Sequence, residues 1–203
     1  MGEKKEKKKR KPLHKSTIHI LLLAAILAIT GLSFSYAYKW GTHQAKVEAE
    51  AETDVFKTFD LDTLDGGRFS YKDSSQSQYT AFNVWGTFCP PCIEELPALE
   101  QVNNSFDDKD FRVVGIIIDV TKDGTNIIDE RIEDAHRIVD GTKITFTNVI
   151  PDPSMFEFLN STIVGTPTTF IVNSNGEIVD VITGARDLTF WQNKAESLVN
   201  EGN

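Results

Sequence analysis

From Val55 onward the apolar positions follow two alternating periods, short β-prone runs and stretches with an apolar residue every third or fourth place. Strands are expected at Phe56–Leu61 and Arg68–Tyr71, separated by the turn LDGG. KDSSQSQ (72–78) reads as a surface loop. TAFNVW (80–85) is a further strand, ending just before a pair of cysteines. FRVVGIII (111–118) is nearly unbroken, as expected of a central strand covered on both faces. ITFTNVI (144–150) and TTFIVN (168–173) are also strand-like, the second turning through SNGE into IVDVIT as a β-hairpin. Between these lie helices. One is expected from Pro90 to about Ser105. A second lies within residues 125–141, where Ile128, Ile132, Ala135 and Val139 share a stripe and Gly141 can cap the end. The last places Leu188, Trp191, Ala195 and Leu198 on one face behind Asp187 as N-cap. With a short helical turn near Pro153–Leu159, the pattern predicts an α/β domain, a mixed central sheet flanked by helices.

Before Val55 the pattern changes. Residues 18–38, IHILLLAAILAITGLSFSYAY, contain no Asp, Glu, Lys or Arg. A helix of that length spans roughly 30 Å, the thickness of a bilayer core. Tyr36, Tyr38 and Trp40 gather at its far end, where amphipathic rings favour the interface. The chain of 203 residues has a net charge of -9, yet residues 1–17 carry eight Lys or Arg against Glu3 and Glu6. Such a basic run alone would suggest nucleic acid, but next to an apolar span it reads as a cytoplasmic flank, with the rest outside. No nucleic-acid partner is expected. A cleaved signal peptide is the alternative, since Ser35-Tyr36-Ala37 resembles a small-x-small site, but the apolar run is long for one. The absence of a cysteine at its end excludes a lipid-modified N-terminus. The expected layout is a basic tail (1–17), a single-pass transmembrane anchor (18–38), a polar linker (39–54) and an extracytoplasmic domain (55–203).

Export bears on the two cysteines, Cys89 and Cys92, because disulfides persist outside the cytoplasm. A strand running into a helix puts Cys89 near the helix N-cap. Pro90 and Pro91 then fill the first turn, where a missing N–H costs little. The Cys92 N–H and the helix dipole would favour a thiolate at Cys89, while Cys92 sits deeper and suits a resolving role. Zinc needs about four ligands, and of the four histidines His14, His19 and His43 precede the domain. His136 alone lies in it, as a helix-surface residue. A structural disulfide this short closes too small a loop to constrain the unfolded chain. Redox exchange is therefore the favoured reading, with no metal and no cofactor. Glu95, one turn past Cys92, is placed to take or give a proton, whereas neighbouring Glu94 reads as a solvated glutamate. Pro97 should kink the helix. Trp85 and Phe88 flank the motif as a candidate apolar collar for a docking protein, with core packing the alternative for Trp85.

NVWGTFCPPCIEELPAL together with the distant VGTPTTFIVNSNGEIV resembles the thioredoxin superfamily, and more narrowly the membrane-anchored TlpA/ResA-type thiol–disulfide oxidoreductases of bacteria. The resemblance covers roughly residues 55–200 and implies a thioredoxin-like fold. It implies Cys89 as nucleophile, Cys92 as resolving thiol and Glu95 as active-site acid. It also implies a cis Thr166–Pro167 bond facing the redox pair, with Thr166 turned toward an incoming peptide beside Phe88 and Pro90. Asn83 stands where cytoplasmic thioredoxins place an aspartate, and Phe88 where a tryptophan is common. Residues 119–144 resemble the extra strand–helix insertion of this branch. Similar proteins draw electrons from a membrane-embedded thiol transporter and reduce disulfides of exported proteins, such as apocytochrome c before haem attachment. Other exported targets, such as sporulation factors or methionine sulfoxide reductases, are alternatives. So is a copper-binding module of related fold, although its wider cysteine spacing and distal histidine are missing.

Overall fold

A computed structural model of the protein describes residues 55–201. The predicted tail, anchor and linker lie outside the described residues. The elements in order are α1 (Val55–Thr58), β1 (Asp60–Asp62), β2 (Arg68–Ser70), α2 (Tyr71–Ser74), β3 (Tyr79–Trp85) and α3 (Pro90–Asn103). There follow β4 (Phe111–Ile117), α4 (Asp129–Thr142), β5 (Asn148–Val149), α5 (Pro153–Thr162), β6 (Thr168–Asn173), β7 (Ile178–Thr183) and α6 (Leu188–Glu201). Five strands form one sheet in the order β5-β4-β3-β6-β7, and β1 with β2 makes a separate antiparallel ribbon. β3 runs parallel to β4 and antiparallel to β6. The sheet is therefore mixed, with helices on both sides, as in thioredoxin-like folds.

Strand alternation divides the core in two. Ala81, Trp85, Val113, Ile117 and Ile171 pack with α3 and α6 through Leu96, Leu99, Trp191 and Ala195. Phe82, Val84, Val114, Ile116 and Phe170 face the other way, toward α1, α5 and the ribbon. There Phe56, Phe59, Phe69, Phe82, Phe158 and Phe170 form a chain of tilted and edge-on rings. Asn83 and Thr169 pair across β3 and β6 on the α3 side, so two polar groups enter an otherwise apolar layer.

Four expectations change. Phe56–Leu61 is not one strand: α1 comes first and pairing begins at Asp60, which lets Phe56 reach the ring cluster. Residues 72–78 begin inside α2, and Ser74 and Ser77 are buried, the former donating to Thr80 Oγ1 (3.0 Å). Within 144–150 only Asn148 and Val149 pair with β4, because the Glu100 carboxylate takes the N–H groups of Thr145 (2.8 Å) and Phe146 (3.3 Å). Gly141 lies within α4, and the stop comes at Lys143 in the left-handed region (φ 60°). Asp187 does cap α6, accepting the Phe190 N–H at 2.8 Å.

Candidate redox site

The loop after β3 delivers Cys89 to the N-cap of α3, with extended backbone angles (φ -108°, ψ 92°). Pro90 and Pro91 are the next two residues, and both are exposed. The first helical bond runs from the Ile93 N–H to the Cys89 carbonyl (3.2 Å). Cys89 and Cys92 are joined in a disulfide, and the Cys89 side chain accepts no capping hydrogen bond in that state. Cys89 keeps 5% exposure while Cys92 has none, so an incoming sulfur meets Cys89 first. Pairing of Val84 with Thr168 brings the start of β6 to the same end of the sheet as the cysteine loop. There the Thr166–Pro167 peptide is cis, Pro167 is buried and Thr166 half-buried.

Glu95 is 3% exposed. Its two oxygens differ. Oε1 accepts the backbone N–H of Arg186 (2.7 Å) and the indole N–H of Trp191 (3.0 Å). Oε2 accepts only a long bond from the Asn83 amide (3.2 Å). The same Asn83 amide nitrogen donates to Thr169 Oγ1 (2.9 Å), while Asn83 Oδ1 is buried without a partner. Burial pushes the Glu95 carboxyl above its ordinary range, and the three N–H donors with the Arg186 charge offset only part of that. Oε1 is therefore filled, and Oε2 is the oxygen left to take a proton. Glu94, by contrast, is exposed.

Residues 51–199 match the Redoxin family. The chain belongs to the Redoxin family. It is similar to the thiol-disulfide oxidoreductase ResA of Halalkalibacterium halodurans, with 26% identity across 79% of this chain and 84% of that protein. It is also similar to sporulation thiol-disulfide oxidoreductase A of Bacillus subtilis, 26% identical across 86% of this chain and 94% of that one. Among solved structures, a thioredoxin family thiol:disulfide interchange protein from Chlorobium tepidum superposes with a TM-score of 0.59. That match has 24% identity over 70% of this chain and 93% of the other, and it bears on the fold alone. Thiol–disulfide oxidoreductase activity is supported by these relatives and by the Cys89–Cys92 disulfide.

Within this Redoxin chain the flanking aromatics part company. Phe88 is 61% exposed and stands beside Cys89. Trp85, expected on the same collar, has no exposed surface, and its Nε1–H donates to Asn148 Oδ1 at 2.9 Å. It supports the site from beneath and offers nothing to a docking protein. Gly115 makes room for that bond, since an added Cβ would collide with Asn148 Oδ1 and lie 2.8 Å from Trp85 Nε1. His136 lies exposed on α4. Sequence reasoning missed Arg186 and Trp191 as partners of Glu95; the only signal was Trp191 on the apolar face of the last helix. Asn83 stands out in the sequence as a departure from aspartate, but its contacts with Glu95 and Thr169 do not.

Proposed function

We propose that the chain is a membrane-anchored, extracytoplasmic reductant of disulfides in exported proteins. The observation that carries this reading is the asymmetric disulfide at a helix start, with a buried carboxylate one turn below. In the reduced protein, the Cys89 thiolate attacks one sulfur of a substrate disulfide and expels the other as a thiolate. A mixed disulfide forms between Cys89 and the substrate. Cys92 then yields its proton to Glu95 Oε2, and its thiolate attacks the Cys89 sulfur. The second substrate sulfur leaves, the protein ends oxidised, and two substrate thiols remain after protonation, one proton coming from Glu95. Raised proton affinity suits Glu95 to this exchange, because a strong acid would hold no proton to return.

Direction is supported by the two prolines. The N–H groups of a helix's first turn stabilise a thiolate at its N-cap, and a stabilised reduced form makes a dithiol oxidising. Pro90 and Pro91 remove two of those donors, leaving the Cys92 N–H. A less stabilised thiolate favours the disulfide, which makes the dithiol a better reductant. Re-reduction needs a thiol donor, and a membrane-embedded thiol transporter fits the anchor expected from the sequence at residues 18–38. Phe88, Pro90 and the Thr166–Pro167 backbone are the surface offered to substrate. Apocytochrome c before haem attachment is the substrate the family resemblance suggests, and sporulation factors are the alternative favoured by the likeness to the sporulation oxidoreductase.

The test is capture. Cys92→Ala in intact cells should accumulate mixed disulfides through Cys89, and Cys89→Ala should accumulate none. Equal capture by both variants refutes the roles assigned to the two sulfurs. The identity of the captured proteins decides between the substrates.

A further inference from the structure

Between β3 and Cys89 the chain passes through Gly86, Thr87 and Phe88 without regular structure. Thr87 is nevertheless pinned. Its N–H donates to Asp119 Oδ1 (3.0 Å), and its hydroxyl donates to Asp119 Oδ2 (2.5 Å). Arg131 Nη1 donates in turn to the Thr87 hydroxyl oxygen (3.2 Å), with its Nε 3.9 Å from Asp119 Oδ2. The same Nη1 also reaches Asp134 Oδ2 at 3.4 Å, a second anchor on that nitrogen.

Asp119 rests on a firm base. Val120 beside it is fully buried, and its carbonyl accepts the Ile128 N–H at 2.9 Å. Thr121 Oγ1 accepts the Gly124 N–H at 2.9 Å. Gly124, at φ +80°, packs against the backbone of Asp152 and Pro153, where no side chain would fit. The segment between β4 and α4 is thus held at both ends and projects one carboxylate at the loop before the cysteines.

Phe88 is what that loop displays. It is 61% exposed, and a Cβ added to Gly86 would lie 2.6 Å from its ring and 3.3 Å from Asp119 Oδ1. The ring is folded over Gly86 beside Asp119, with most of its surface in water. A large apolar side chain held out beside a reacting sulfur gains from being covered by another apolar surface. Ordering it before contact lowers the entropic cost of that contact.

We propose that Asp119, with Arg131, is a positioning residue for substrate recognition, fixing the Gly86–Phe88 loop so that Phe88 meets an apolar stretch of polypeptide beside the target disulfide. This rests on Cys89 being the attacking sulfur. The partner chemistry is a protein disulfide flanked by apolar residues. A small polar disulfide, with no chain on either side, reaches Cys89 without needing the ring.

The experiment compares two oxidised substrates, insulin and hydroxyethyl disulfide, reduced by the full chain with dithiothreitol as electron source, each corrected for the uncatalysed rate. Asp119→Ala should raise KM for insulin on the order of 10-fold, equivalent to about 1.4 kcal/mol. Its kcat for insulin and its rate on hydroxyethyl disulfide should stay at the parent's level. Asp119→Asn keeps an acceptor for the Thr87 N–H and should recover most of the KM. In a Phe88→Ala background, Asp119→Ala should add less than about 2-fold, because both changes act through one ring. Equal losses on both substrates, or full additivity with Phe88→Ala, overturn the proposal. Should Asp119→Ala not fold, Arg131→Ala carries the same expectation at about 3-fold, a single weaker bond being lost, and the same refutation. A parent chain that reduces neither substrate refutes the redox reading itself, whereas an active parent indifferent to Asp119 refutes only the positioning role.

Discussion

Glu95→Gln removes a buried charge beneath the cysteines while keeping the side chain's shape. The variant's Oε1 still accepts from Arg186 and Trp191. Each bond falls from about 1.5–3 kcal/mol for a charged acceptor to about 0.5–1.5 kcal/mol for a neutral one, a combined loss of about 2–3 kcal/mol. The new Nε2 faces the Asn83 amide nitrogen, donor against donor. Rotation of the Asn83 amide, with the Thr169 hydroxyl turning to donate, resolves this: Oδ1 accepts from both neighbours, Nδ2 becomes the unpartnered atom in its place, and about 1 kcal/mol is restored. Against these terms stands the desolvation of a buried carboxylate, several kcal/mol even after relaxation. Desolvation is the larger effect in the parent, since Glu95 is held above the usual carboxyl range. The oxidised variant should therefore be more stable than the oxidised parent by about 1 kcal/mol near pH 8. A carboxyl whose folded pKa lies above its unfolded value binds more protons when folded, so the parent loses stability as pH rises through the folded value. The variant's advantage should accordingly vanish as pH falls toward the unfolded value of about 4.3. Urea unfolding of both oxidised proteins at about pH 5 and about pH 8 measures it. A variant less stable than the parent at pH 8, or an offset identical at both pH values, refutes the reasoning.

Trp191→Phe takes one N–H donor from Glu95 Oε1, which strengthens the acid's hold on its proton. The pH–rate profile of disulfide exchange should move to higher pH, and an unmoved profile would leave Trp191 a packing residue only. Glu100→Ala should cost about 1–3 kcal/mol at neutral pH, chiefly by orphaning the buried Phe146 N–H, while the donors of exposed Thr145 and Asn104 turn to water. Burial pushes Glu100 up, but those bonds together hold it below the usual range. Its contribution is present above the unfolded pKa and fades as pH falls through the lowered one, so parent and variant should converge in acid urea melts. Gly115→Ala sets a methyl against the Trp85–Asn148 bond and should destabilise by about 3 kcal/mol in thermal or urea unfolding. A neutral result would mean that bond is not fixed.

The strands β3, β4 and β6 were legible because each is an apolar run buried on both faces, and the start of α3 because two prolines follow a cysteine. Local pattern failed where distant side chains intervene. Thr145 and Phe146 look like strand residues, yet a carboxylate from α3 takes their N–H groups. Phe56 looks like strand too, but its ring is needed among five other phenylalanine rings drawn from across the domain. In the site, Cys89, Cys92 and Glu95 follow from spacing along one helix. Trp191 and Arg186 lie more than ninety residues from Glu95, and no periodicity connects them. Exposure separated Trp85 from Phe88, and composition carries no record of exposure.

Only two residues intervene between the linked cysteines. Opening so small a ring frees little of the unfolded chain's disorder, so loop entropy adds little to the bond's hold on the fold. The bond therefore serves trade with other thiols rather than holding the fold shut.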